Sequence, residues 1–121
     1  MAKQVLAIGL DPIHVDLSGH PEFTAELVRT FIETQLERVR ALGYEVVNCL
    51  LDGGDGSEAV AERHLKARHF DCVMFGAGLR DSKRLLLFEK IINVIHADAP
   101  GAKICFNSTP ADTAEAVQRW V

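Results

Sequence analysis

Apolar and polar positions follow two patterns along the chain. Short continuous apolar runs occur at VLAIGL (5–10), YEVVNCLL (44–51), FDCVMF (70–75, with CVMF at its heart) and KICF (103–106). Between them, apolar residues recur every three or four positions over longer stretches. The first pattern predicts strands buried on both faces and the second predicts amphipathic helices. The first helix carries Leu27, Val28, Phe31, Ile32, Leu36, Val39 and Leu42 in one stripe. It starts at Pro21 or Thr24 and stops at Gly43, residues suited to those ends. A second helix follows Asp52-Gly-Gly-Asp-Gly, with Ser57 as its cap, and runs to about Arg68. A third spans 82–98 and is closed by Ala99-Pro100-Gly101. A fourth follows Asn107-Ser-Thr-Pro110 over 111–120.

Strand and helix therefore alternate four times with short links, which predicts a parallel sheet covered on both faces. Right-handed crossovers restrict the winding, and strand order 2-1-3-4 is expected. Helices one and four then share one face, and helices two and three the other. Glu45 and Asn48 interrupt the second strand, which suits a sheet edge. There is no internal repeat, low-complexity tract or linker, so residues 1–121 read as a single three-layer α/β/α domain.

Composition narrows the partners. The chain is 48% apolar and 25% charged, which places it among globular domains and not disordered ones. A formal net charge of −4 argues against nucleic acid, which demands a basic face. No apolar run approaches the ~20 residues of a membrane span, and MAKQVLAIGL enters a strand directly with no signal-peptide pattern. A cytoplasmic location is expected. The three cysteines, Cys49, Cys72 and Cys105, fall inside strands and form no CxxC pair, so they read as reduced, buried thiols.

The segments VLAIGLD, YEVVNCLLD, FDCVMFGAG and KICFNST, taken in order, resemble the flavodoxin-like superfold, which includes response-regulator receiver domains. The chain is also similar to the small uncharacterised α/β proteins common in bacterial genomes. The receiver resemblance implies an acidic cluster after strand one, which Asp11 partly supplies, and a Ser or Thr after strand four, where Ser108 and Thr109 stand. It also implies a phosphoryl-accepting Asp at the end of strand three, where this chain has Gly76, and a Lys after a fifth strand that this chain lacks. What the resemblance leaves is a degenerate receiver-like regulatory or interaction module without catalysis. The Ser/Thr-rich phosphate loop of flavodoxins is absent after strand one.

In open parallel sheets, ligands bind beyond the carboxyl ends of the strands where the winding reverses. With order 2-1-3-4 that crevice lies between strands one and three. Gly76-Ala-Gly78 follows a strand and precedes a helix, so its backbone can approach an anion, with Arg80, Lys83 and Arg84 beside it. Gly76, Gly78, Arg80, Ser82, Asn107 and Ser108 form the candidate ligand-binding set. The competing reading is a tight turn with a solvated basic first helical turn. Asp11, His14, Asp16 and His20 crowd the opening loop, but their D-x2-H-x-D-x3-H spacing fits no metal-ligand set. No metal and no cofactor are expected. Asp11 and His14 remain the acid–base candidates if the protein is an enzyme; otherwise the loop simply turns the chain and caps a helix. No GxSxG elbow is present, and no cysteine lies in a basic loop.

Helix three is apolar beyond one stripe. Leu85, Phe88, Ile92 and Ile95 suffice to face the sheet, which leaves Leu87, Ile91 and Val94 for a second buried surface, most simply a homodimer. The alternative is that a short helix two leaves helix three more core to cover. The leading expectation is a domain that binds a small anionic ligand at the carboxyl edge of its sheet. The alternative is the degenerate receiver-like module, which works through its helix faces.

Overall fold

The computed structural model describes residues 2–121. Strands β1 (Gln4–Leu10), β2 (Glu45–Leu51), β3 (Cys72–Phe75) and β4 (Lys103–Phe106) form one parallel sheet in the order β2-β1-β3-β4. Helices α1 (Ala25–Ala41), α2 (Ser57–Ala67), α3 (Leu85–Asp98) and α4 (Thr113–Gln118) alternate with the strands. Both the order and the layering match the expectation from the apolar pattern.

Register divides the side chains between the faces, because successive strand residues point opposite ways. Leu6 is level with Val47 and Val73, and Ile8 with Cys49 and Phe75. These residues join Ala61 and Leu65 of α2 and Ile91 and Ile95 of α3 in one core layer. The intervening Val5, Ala7, Cys72, Met74 and Cys105 join Leu36 and Val39 of α1 and Ala116 and Val117 of α4 in the other. Among the described residues, no helix is long and apolar enough to cross a membrane.

Local chemistry sets the helix ends. Thr24 Oγ1 accepts from Leu27 N at 3.1 Å to start α1, and Gly43, with φ +101°, lies in the left-handed region that ends it. Ser57 does not cap α2. Its hydroxyl donates to Asp52 Oδ1 at 3.2 Å and accepts from Gly53 N at 3.1 Å, so it ties the loop, and the helix already includes it. Residues Ser82–Arg84 form a 3-10 turn held by Asp81, whose Oδ1 accepts from Lys83 N at 2.9 Å, so α3 begins only at Leu85. A capping box between Thr109 and Asp112 precedes α4.

Two helices sit differently from the expected stripes. In α3, Ile91 and Val94 are buried and Leu87 is packed against the same core, whereas Leu85 and Leu86 are exposed. The alternative reading of α3 therefore applies: α2 has only 11 residues, and α3 covers the area it leaves. The side chains on which a helix-three homodimer rested are covered within the domain. In α1, Leu36 and Val39 are buried, but Leu27, Phe31 and the flanking Leu42 are exposed. From Ile32 onward α1 packs on the sheet; its first turns extend toward the loops at the carboxyl edge, with Val28 over the cavity.

Candidate functional site

Pairing between β1 and β3 ends at Ile8 and Phe75, while β1 continues beside β2 to Leu10 and Leu51. At this fork the chain leaves β3 through Gly76, whose N–H donates to Ile8 O at 2.8 Å. A Cβ on Gly76 would lie 3.3 Å from Ile8 O and 3.4 Å from Gly9 Cα, and one on Gly78 would lie 3.2 Å from Leu10 Cβ. Glycine is thus what lets the turn lie against β1. A 3-10 turn, Ala77–Leu79, follows.

The fork opens into a cavity of about 190 Å³ on the α1/α4 face. Ala7 and Met74 belong to its floor, and Val28, Ile32 and Leu36 of α1 form one wall. Pro12, Val15 and Pro110 come from the loops after β1 and β4, and Gly76–Gly78 complete the lining on the turn side. This is the crevice that the winding order predicts.

Of the candidate ligand-binding residues, Gly76, Gly78 and Asn107 line the cavity, whereas Arg80, Ser82 and Ser108 do not. Arg80 is turned inward. Its guanidinium donates to the carbonyls of Phe75 and Asn107 and to Asn107 Oδ1, the last at 3.3 Å, and lies 4.9 Å from the Phe106 ring centroid. Burial pulls its pKa below the ordinary value, against the opposing charge of Asp112. Arg80 thus ties the ends of β3 and β4 together. Asn107, 4% exposed, accepts from Arg80 and donates to Thr113 Oγ1 at 3.1 Å. Ser82 is exposed and 3.4 Å from Asp81 Oδ1, and Ser108 donates its backbone N–H to Asp112 Oδ1 at 2.8 Å.

The crowded opening loop is mostly engaged in local bonds. Asp11 Oδ1 accepts from Arg29 Nη2 at 2.6 Å and from Ile13 N at 3.1 Å, and the Arg29 bond chiefly holds its carboxyl below the usual range. Asp16 caps Ser18 N at 3.0 Å, and His20 Nδ1 lies 3.6 Å from Glu22 Oε1. His14 is exposed, and its carbonyl lies 3.5 Å from Arg84 Nη2. Among the described residues, no three His, Cys, Asp or Glu side chains converge to hold a metal ion. Asp52, below the usual range chiefly through the Gly54 N–H, is likewise a turn residue.

Cys49 Sγ lies 3.6 Å from His64 Nδ1, a pair that suggests an activated thiol. However, the same Nδ1 is 2.9 Å from Val60 O. A carbonyl can only accept, so Nδ1 carries the proton and cannot take one from sulfur. Burial pushes the Cys49 thiol up to about 11, which keeps it protonated and inert.

Sequence reasoning missed the apolar wall. Val28 and Ile32 read as ordinary core residues of an amphipathic stripe, and the stripe's unusual width was the available signal. No protein-family model matches the chain, and no curated protein matches it.

Proposed function

We propose that this domain binds a small organic anion at the carboxyl edge of its sheet, with the body of the ligand in the cavity and its charge on the Gly76–Gly78 turn. The observation that carries this reading is the cavity at the fork of β1 and β3, the position at which open parallel sheets hold ligands. The first N–H groups of a 3-10 turn have no partner within it, which suits a negative group placed over Ala77 and Gly78. Lys83 and Arg84 follow on the next turn and add positive charge. Arg80, engaged with Phe75 and Asn107, contributes to this site by holding the strand ends in place. If the ligand is chemically converted, exposed His14 is the acid–base candidate, since Asp11 is paired with Arg29.

Thermal denaturation in acetate, phosphate and sulfate tests this reading. A bound anion at about ten times its Kd stabilises by roughly 1.4 kcal/mol and raises the Tm. Val28→Trp, which fills the cavity from α1, should reduce the response to a carboxylate with an apolar body, such as phenylacetate, more than the response to acetate. A Tm unmoved by all three anions at about 100 times a millimolar Kd would contradict it.

One observation favours the second reading, an interaction module without catalysis: Phe23, Leu27 and Phe31 are exposed at one-turn intervals along α1 and its lead-in.

A further inference from the structure

Resting on that reading of the crevice, we infer that the ligand carries a compact uncharged ring of about benzene size, and that the cavity receives the ring. Volume sets the first limit. An apolar cavity of about 150 Å³ is enough to take benzene, and the crevice holds about 190 Å³. One six-membered ring with a short substituent fits this space.

The chemistry of the lining sets the second. It includes no Lys, Arg, Asp, Glu or His side chain, so a charge placed inside would lose its water without gaining a partner. The polar side chains present are already engaged. Asn107 bonds Arg80 and Thr113, Thr113 Oγ1 donates to Pro110 O at 2.7 Å, and Asn48 Nδ2 lies 3.3 Å from Glu33 Oε2. The charge of the ligand must therefore stay at the mouth, on the Ala77–Gly78 backbone.

Two features of the walls favour a flat ring over a flexible chain. Met74, on the floor, offers a thioether, which makes favourable contacts with aromatic rings. Pro12 and Pro110 each open a 3-10 turn, which fixes part of the wall before any ligand arrives. The ligand class is thus a small aryl-substituted acid.

The test uses the wild-type chain, labelled for amide and methyl spectra, with three probes: benzyl alcohol, acetate and phenylacetate. Benzyl alcohol should move the methyl signals of Ala7, Val28, Ile32 and Met74, and acetate the amides of Ala77 and Gly78. Phenylacetate should move both sets and bind at least tenfold more tightly than acetate. In Val28→Trp the methyl response to benzyl alcohol should disappear, with an unchanged spectrum around Leu6 and Cys72 showing that the variant is folded. If acetate moves the turn amides, benzyl alcohol leaves the methyls in place and phenylacetate gains nothing over acetate, the ring inference is overturned and the anion reading stands. If benzyl alcohol fills the cavity and neither acid touches the turn, the ring inference holds and the anion reading falls. If no probe moves any of these signals, both fall.

Discussion

Arg80 illustrates what a single residue adds to this fold. In sequence it stands beside a glycine turn among other cations, as an anion-binding residue would. In the fold its charge meets backbone carbonyls at the ends of β3 and β4 and the face of Phe106. One of its partners, Asn107, is 27 positions away and comes close only through the β3–β4 register, so local sequence cannot reveal the contact. By contrast, a tight turn at Gly76 and Gly78 was legible as one reading of paired glycines between a strand and a helix, although its packing against Ile8, Gly9 and Leu10 of β1 was not. Hydrogen bonds to a charged group contribute roughly 1.5–3 kcal/mol each, and their loss leaves acceptors unpaired. Arg80→Met should therefore destabilise the domain by about 2–4 kcal/mol in urea denaturation. Arg80→Lys should recover only part of that, since an ammonium cannot span several acceptors in one plane. A loss for Arg80→Met below about 0.5 kcal/mol, typical of a surface site, would show that the guanidinium is not a brace.

At the scale of elements, the strands and the existence of four helices were readable because their apolar periods differ. Which side of a helix faces inward was less readable in α3, where the apolar face is broad and Leu85 and Leu86 add apolar residues beyond it, while Glu89, Lys90, Asn93 and His96 share the exposed face. Its orientation depends on how much area short α2 leaves uncovered, a property of two elements together. The consequence for association is direct. Ile91 is fully buried, so Ile91→Asp should unfold the domain, at a cost above about 4 kcal/mol, and not merely separate subunits. Leu85 and Leu86 are exposed only at the start of α3, whereas Phe23, Leu27 and Phe31 are exposed at successive turns along α1 and its lead-in. Leu27→Glu should change stability by no more than about 0.5 kcal/mol. Under the second reading, with a second copy as the partner, light scattering reports twice the chain mass for the wild type and the single mass for Leu27→Glu. A monomeric wild type would contradict self-association through this face.

At the scale of the whole molecule, topology fixes where binding is possible and side chains fix what can bind. The order β2-β1-β3-β4 places one fork at the carboxyl edge, and that much followed from the alternation of strands and helices. The apolar character of the fork did not, because it arises where α1 overhangs the sheet and brings Val28 and Ile32 over Ala7 and Met74. The molecule has a second, wider cleft of about 520 Å³ at the opposite edge, lined by Lys3, Arg68 and His69 together with Glu45 and Asp71. Its cations make it the natural competitor for an anion. Mapping amide shifts across the labelled chain during a phenylacetate titration separates the two most directly. Binding at the fork predicts saturable shifts at Val15, Ala77, Gly78 and Asn107, with Lys3, Arg68 and His69 unmoved. Shifts centred on Lys3, Arg68 and His69, or none anywhere at millimolar phenylacetate, would contradict it.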